Sequence, residues 1–87
     1  MSFRIVIARK ALKELSSIPK NSVRKISASI EKLSYNPRPA GCKKLKGEEE
    51  ILWRIRSGDY RIIYSVDDTV RIVEVRRIGH RKNIYDL

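Results

Sequence analysis

The chain has few of the residues on which disulfide frameworks, metal centres and membrane anchors depend. Among 87 residues it contains one cysteine, Cys42, and one histidine, His80. A single cysteine excludes an internal disulfide and a multi-cysteine metal site, and it suits a reducing cytosol. No apolar run approaches the ~20 residues of a membrane span, and the charges within M-S-F-R-I-V-I-A-R-K are unlike a secretory leader. We therefore expect a cytoplasmic protein that does not enter a membrane.

Acidic residues are scarce relative to basic ones. Lysine and arginine number 20 against 10 for aspartate and glutamate, which gives a net charge of +10. Such self-repulsion is costly in a compact body unless a polyanion or an acidic partner offsets it. The hydrophobic fraction of 41% is too high for a disordered basic tail. We expect one folded domain over residues 1–87, with nucleic acid as the first candidate partner.

The hydrophobic periodicity predicts an α+β domain. A strand is expected at residues 3–7, and a helical hairpin follows over 8–15 and 23–33, broken at Pro19. Pro37 and Pro39 then exclude a helix and predict a loop. Three antiparallel strands should follow as a meander, with turns at 57–59 and 67–69; their predicted ranges are 51–56, 60–66 and 70–78. Both helices are expected on one face of this four-stranded antiparallel sheet.

Alternation along these strands predicts a basic face on the sheet. If Trp53, Ile55, Ile62 and Tyr64 pack under the helices, the other side carries Arg54, Arg56 and Arg61. The closing stretch R-I-G-H-R-K-N-I-Y would bring more cations to the same site, and a phosphodiester backbone is the expected ligand. A merely solvated charged face is the alternative. Arginine, which makes bidentate phosphate contacts, outnumbers lysine on these strands, and this favours the ligand.

A run of three glutamates at 48–50 could be taken for a metal site. It follows three lysines, at positions 43, 44 and 46, and no supporting aspartate, asparagine or histidine stands nearby in the sequence. Adjacent carboxylates alone are a weak metal signal. We interpret the run as a solvated loop with internal charge pairing.

Two stretches in the second half of the chain carry a resemblance to a known family. They read W-R-I-R-S-G-D-Y-R-I-I-Y-S-V-D-D and V-R-I-V-E-V-R-R-I-G-H-R-K-N-I-Y. Together with A-L-K-E-L, N-P-R-P and K-L-K-G, they are similar to the RelE/ParE superfamily of toxin–antitoxin toxins, and specifically to its RelE-type branch. The resemblance extends over nearly the whole chain and implies a RelE-like fold.

The resemblance implies a ribosome-dependent endoribonuclease that cuts messenger RNA and needs no metal or other cofactor. Its partners would be the ribosome, the message and a cognate RelB-like antitoxin that binds it in a hetero-oligomer. The catalytic residues implied are Arg61, Arg81 and Tyr85, with Arg54 and His80. The residues expected to contact RNA are Arg56, Lys43, Lys44, Lys46, Arg77 and Lys82.

The proposed chemistry assigns roles within this set. Attack of a 2′-hydroxyl on the adjacent phosphate needs a proton acceptor, positive charge on the phosphorane and a proton donor for the leaving oxygen. Arginine supplies only the charge, so Tyr85 and His80 are expected to share proton transfer or base stacking. Leu52 departs from the family pattern, because a lysine is expected there. Two alternatives stay open: a ParE-like inhibitor of DNA gyrase, and an inactive relic that binds RNA or antitoxin.

Overall fold

A computed structural model describes residues 2–47 and 49–84 of the chain. Two helices and five strands follow in the order β1 (Arg4–Ile7), α1 (Arg9–Leu15), α2 (Lys20–Leu33), β2 (Lys43–Lys46), β3 (Ile51–Ser57), β4 (Tyr60–Asp67) and β5 (Ile72–His80). The strands form one sheet in the order β1-β5-β4-β3-β2. The predicted α+β class and the helical hairpin are confirmed. No helix of the described residues is long and apolar enough to cross a membrane.

The longer helix, α2, follows the apolar spacing of the sequence. Ile26, Ile30 and Leu33 recur at intervals of three and four residues, and all three are buried. Pro19 lies directly before the first helical residue, where its missing N–H breaks no helical hydrogen bond. The helix therefore lays one apolar stripe on the sheet and leaves its opposite side to solvent.

The sheet differs from the expected one in strand number and in one strand direction. It has five strands, because the lysine-rich segment Lys43–Lys46 pairs antiparallel with β3. β1 runs parallel to β5, whereas the predicted sheet is antiparallel throughout. Alternation in a sequence reveals which residues share a face, but the direction of pairing between distant strands depends on long-range packing.

The two faces of the sheet have different contents. The main core lies between sheet and helices and contains Ile55, Ile62 and Tyr64, with Trp53 packed against it, as predicted. A second, smaller cluster lies on the face away from the helices, which we call the open face, and consists of Leu45, Leu52, Ile63 and Ile84. The open face is therefore partly covered by Ile84, which follows β5 in the chain.

The proline loop between α2 and β2 is fixed to the sheet by polar contacts. The Tyr64 hydroxyl donates a hydrogen bond of 2.7 Å to the carbonyl of Pro37, and burial raises the pKa of that hydroxyl. Arg38 makes two hydrogen bonds to the Asp68 carboxylate, at 2.7 and 3.2 Å, and its guanidinium lies 5.1 Å from the Trp53 ring centre. These contacts hold the loop beside the edge of β3.

Candidate functional site

The β3–β4 hairpin sets two arginines opposite each other. A two-residue turn, with Gly58 at φ +60°, joins the strands, and the register pairs Arg56 with Arg61. The left-handed φ is one that glycine adopts at little cost. Like charges directly opposite each other on a sheet are destabilising by about 0.2–1 kcal/mol. The pair is therefore placed for something other than the stability of the hairpin.

A third arginine reaches the same place from the end of β5. The Arg81 backbone N–H donates to the carbonyl of Asp59, at 2.8 Å, and this bond ties the segment after His80 to the β3–β4 turn. Ile84 then packs over Gly79, where an added Cβ would lie 3.2 Å from the Ile84 Cβ. The closing segment can therefore lie close to the open face because residue 79 has no side chain.

The three arginines line one small cavity, which we call the arginine cavity. Its volume is about 220 Å³, and its walls are Arg56, Gly58, Asp59, Tyr60, Arg61 and Arg81. Among the described residues that line it, Asp59 is the one carboxylate, and its oxygen lies 4.0 Å from the Arg81 Nε. Guanidinium groups outnumber the carboxylate three to one, so the cavity suits a phosphate, which arginine can contact in a bidentate manner.

Two other arginines of the sheet, Arg76 and Arg77, are held by carboxylates. The Arg77 guanidinium contacts Glu14 of α1 at 3.1 Å, and the Ile78 N–H donates to the same carboxylate at 2.9 Å. Arg76 donates hydrogen bonds to the carboxylates of Glu50 and Glu74, and the bonds to Glu50 are the main reason that the pKa of Arg76 is raised. Arg77, predicted to contact RNA, is thus engaged with α1, and Glu50 pairs with Arg76 rather than with the neighbouring lysines.

Arg54 shares the open face with Arg61 but does not line the arginine cavity. Its exposed fraction is 6%, and it lies between Lys43 and Ile63 in the register of the sheet. It lines a separate groove that Arg56 also lines. The structure therefore brings Arg61 and Arg81 together, with Arg56 rather than Arg54 as the third member.

His80 lies on the side of the sheet that faces the helices. It pairs with Tyr60, and the two rings contact edge to face, with centres 5.6 Å apart. Its Nδ1 accepts a 3.1 Å hydrogen bond from the Lys82 N–H. The structure does not bring His80 into the arginine cavity, and its catalytic role stays a prediction without support from this geometry.

Of the remaining predicted residues, none that the structure describes lines the arginine cavity. Lys43, Lys44 and Lys46 are exposed on the edge strand β2, where Lys43 points to the same face as Arg54 and the other two alternate away from it. Lys82 is exposed in the turn after β5. Tyr85 lies outside the described residues. No group of histidine, cysteine, aspartate or glutamate within residues 2–47 and 49–84 could hold a metal ion.

Leu52 has a structural role that the sequence analysis missed. It is 5% exposed and packs with Leu45, Ile63 and Ile84 on the open face. A lysine there would place a charge inside this cluster at a considerable desolvation cost. The available signal was the set of apolar residues Leu45, Leu52, Ile63 and Ile84. Their contact follows from the sequence only when the register of the strands is known. Leu52 therefore stabilises the position of the segment that carries Arg81.

Comparisons with known proteins agree with this architecture. Residues 5–85 match the model of the family described as ParE toxin of type II toxin–antitoxin system. The chain is 35% identical to a RelE1 protein of Methanocaldococcus jannaschii over 98% of this chain and 97% of that one. It is 31% identical to toxin RelE of Mycobacterium tuberculosis, over 95% and 86%.

A solved structure shows the same fold. The archaeal RelE–RelB complex from Pyrococcus horikoshii contains a chain that is 32% identical, with a TM-score of 0.83 over 97% of this chain and 100% of that one. The sequence match and the structural match both extend over nearly the whole chain. The chain belongs to the RelE/ParE superfamily, as a toxin of a type II toxin–antitoxin system.

Proposed function

We propose that this toxin is a ribosome-dependent endoribonuclease that cuts messenger RNA, with the RNA 2′-hydroxyl attacking the adjacent phosphate. The observation that carries the proposal is the arginine cavity, in which Arg56, Arg61 and Arg81 from three segments surround one small space. The RelE names of the similar proteins support the same function.

The positions of the three arginines in the cavity suggest a separate catalytic role for Arg81. Arg56 and Arg61, fixed by the hairpin, would hold the scissile phosphate, while Arg81 would neutralise charge that develops near the leaving 5′ oxygen. Such stabilisation needs donors that are in place before the reaction, and the hydrogen bond from the Arg81 backbone N–H to Asp59 fixes the main chain from which the Arg81 side chain extends. Arginine does not exchange protons near neutral pH. Tyr85, the residue after Ile84 in the chain, remains our candidate for proton transfer.

Cleavage mapping on translating ribosomes tests this proposal. Wild-type toxin should cut the message in the decoding site, and Arg61→Ala with Arg81→Ala should abolish cutting while the far-ultraviolet circular dichroism stays unchanged. Lys20→Ala, which removes an exposed cation at the start of α2, is the matched control and should cut normally. Intact message with wild-type toxin bound to the ribosome would refute the enzyme and favour an inactive relic. Normal cutting by the double variant would refute the role of the cavity.

A gyrase poison is the second candidate, because the matching family model is described as a ParE toxin. Such a toxin would leave ribosome-bound message intact and cause DNA breaks to accumulate during growth arrest. Measuring message cleavage and DNA breaks in the same culture distinguishes the endoribonuclease from the gyrase poison.

We also propose that a RelB-like antitoxin binds this toxin in a hetero-oligomer. Similar solved structures are toxin–antitoxin complexes of RelE and RelB, and the net charge of +10 favours an acidic partner. Co-expression with the product of a small adjacent open reading frame should restore growth and yield a co-purifying complex. Growth arrest that persists with every adjacent product would contradict this partner.

A further inference from the structure

A second groove lies beside the arginine cavity, between α2, the proline loop and the edge of β3. Its volume is about 620 Å³, within the range of pockets that hold small ligands. Ser29 and Lys32 come from α2, Pro39 and Ala40 from the loop, and Arg54 with Arg56 from β3. We call it the α2 groove. The polar contacts of Tyr64 and Arg38 described above fix its loop wall.

The charges that line the α2 groove are all positive. Lys32, Lys43, Arg54 and Arg56 line it, and no carboxylate does so among the residues that the structure describes. A groove of similar size, about 670 Å³, crosses the other end of the open face, and four carboxylates line it: Glu50, Asp67, Asp68 and Glu74. The acidic residues are thus segregated from the α2 groove, and an anion is favoured there.

The α2 groove also has an apolar wall. Pro39, Ala40 and Ile55 face the same space as the cations. A ligand that carries both an anionic group and a flat, less polar body would match the cationic and apolar walls of the groove. In proteins that bind single-stranded nucleic acid, cations contact the phosphate backbone while the sugars and bases contact apolar surface. A nucleotide has both parts.

Arg56 connects the two sites, since it lines both the arginine cavity and the α2 groove. Arg54 and Arg56 lie two residues apart on one face of β3, which is about 7 Å along a strand. Neighbouring phosphates of one RNA strand could therefore contact Arg54 and Arg56 separately. One RNA strand can run from the cavity past Arg56 and into the groove.

We infer that the α2 groove binds the nucleotide next to the scissile phosphate, and that Lys32 contacts the phosphate of that nucleotide. The inference rests on the proposed function, because it assumes that the scissile phosphate occupies the arginine cavity. Lys32 acts as a binding and positioning residue of the RNA strand, at a place that the sequence analysis did not single out.

A double-mutant cycle between Lys32 and individual phosphates tests the inference. Ribosome-bound messages would carry one uncharged methylphosphonate linkage at a time on either side of the scissile phosphate, and kcat/KM of cleavage would be measured for each. With wild-type toxin, one flanking substitution should lower kcat/KM about ten-fold, as expected for one lost charge-assisted contact. With Lys32→Ala, the same substitution should lower it less than about two-fold, because the contact is already absent.

Lys20→Ala is the matched control, since Lys20 is exposed on the same helix but lies about 18 Å from Lys32, at 1.5 Å per residue. It should keep the full ten-fold sensitivity. Ser29→Trp, which fills the groove with a bulky side chain, should abolish the sensitivity as Lys32→Ala does.

Several outcomes would overturn the inference. If the effects of Lys32→Ala and of every flanking linkage simply multiply, Lys32 contacts no neighbouring phosphate. If Lys32→Ala instead weakens antitoxin binding and leaves the linkage pattern unchanged, the groove is a protein-binding surface. If wild-type toxin does not cut the unmodified message at all, the proposed function has failed, and this result is distinct from cutting that is insensitive to Lys32.

Discussion

Six arginines of this toxin fall into two groups with different surroundings. Arg38, Arg76 and Arg77 each contact a carboxylate, and each of these pairs joins two elements of the fold. Arg56, Arg61 and Arg81 instead share one cavity. Its described lining residues include a single carboxylate, that of Asp59, at 4.0 Å from the Arg81 Nε. The same residue type thus serves two purposes. Arginines next to carboxylates hold elements together, whereas arginines next to one another are arranged to receive an anion.

The difference has an energetic consequence. Placing Arg56 opposite Arg61 costs stability, whereas the Glu14 carboxylate, 24% exposed and bonded to two groups of β5, contributes to it. Substitutions in the carboxylate-paired group should therefore lower stability and spare cleavage. Substitutions in the arginine cavity should lower cleavage without lowering stability.

The largest effect is expected at Arg81. Arg81→Ala should lower kcat of ribosome-dependent cleavage by about 100-fold or more, as removal of one preorganised donor does in other sites. Arg81→Lys should restore part of the loss, because lysine keeps the charge but not the bidentate geometry. Single-turnover cleavage with saturating toxin measures both variants, and equal activity of Arg81→Ala and wild type would remove Arg81 from the mechanism.

The next effect concerns stability alone. Glu14→Gln should lower the free energy of unfolding by about 1–2 kcal/mol, because the Arg77 guanidinium and the Ile78 N–H lose a charged acceptor. Urea denaturation measures this change. Glu31→Gln, on the exposed side of α2, is the control and should be neutral. Cleavage by Glu14→Gln should stay within two-fold of wild type, and a large loss would show that Arg77 takes part in the reaction.

Arg56→Ala should change stability and cleavage in opposite directions. Loss of the cross-strand repulsion should raise the free energy of unfolding by about 0.5 kcal/mol. Loss of a phosphate contact should lower kcat/KM about ten-fold. Arg4→Ala, an exposed arginine on the distant strand β1, should change neither. A variant at Arg56 that is both less stable and fully active would contradict the division into two groups.

The smallest effect is expected at the exposed pair Arg38–Asp68. The hydrogen bond from Arg38 lowers the pKa of the Asp68 carboxyl below its ordinary value. The contribution of the Arg38–Asp68 pair to stability is therefore present above the unfolded pKa of an aspartate, about 3.9. It is lost as the pH falls through the lower pKa that Asp68 has in the folded protein. The difference in thermal midpoint between wild type and Asp68→Asn should be small at pH 6 and should vanish once the pH lies below the lowered folded pKa. A difference that grows with acidification would refute this contribution.

The sequence predicted both helices, four of the five strands and the face to which most strand residues belong. The spacing of Ile26, Ile30 and Leu33 predicted α2, and the alternation of Trp53, Ile55, Ile62 and Tyr64 predicted the helix-facing side. The strand β2 was missed because K-K-L-K has a single apolar residue and so gives no alternation. The helix α1 and the β3–β4 turn were predicted because each depends on neighbours in the chain.

The position of His80 could not be predicted, because a bulge changes the alternation of β5. The register against β4 shifts between Ile63 and Tyr64, so that Arg77 faces Ile63 while Val75 faces Tyr64. Arg76 is the extra residue. Without it, His80 would lie on the open face; with it, Gly79 takes that side and His80 turns toward the helices. The same bulge lets Ile84 lie over Gly79, and it thereby helps to place Arg81.

The most direct test of the central claim, that the arginine cavity is a phosphate site, is the thermal midpoint of the free toxin in inorganic phosphate against chloride at equal ionic strength and pH. Ligand binding to the folded state stabilises it, and about 1 kcal/mol corresponds to roughly 4–8 °C for a domain of this size. We predict a rise of about 4 °C in phosphate for wild type and for Lys20→Ala, and a rise of less than about 1 °C for Arg61→Ala with Arg81→Ala. An equal rise in all three proteins would contradict the claim.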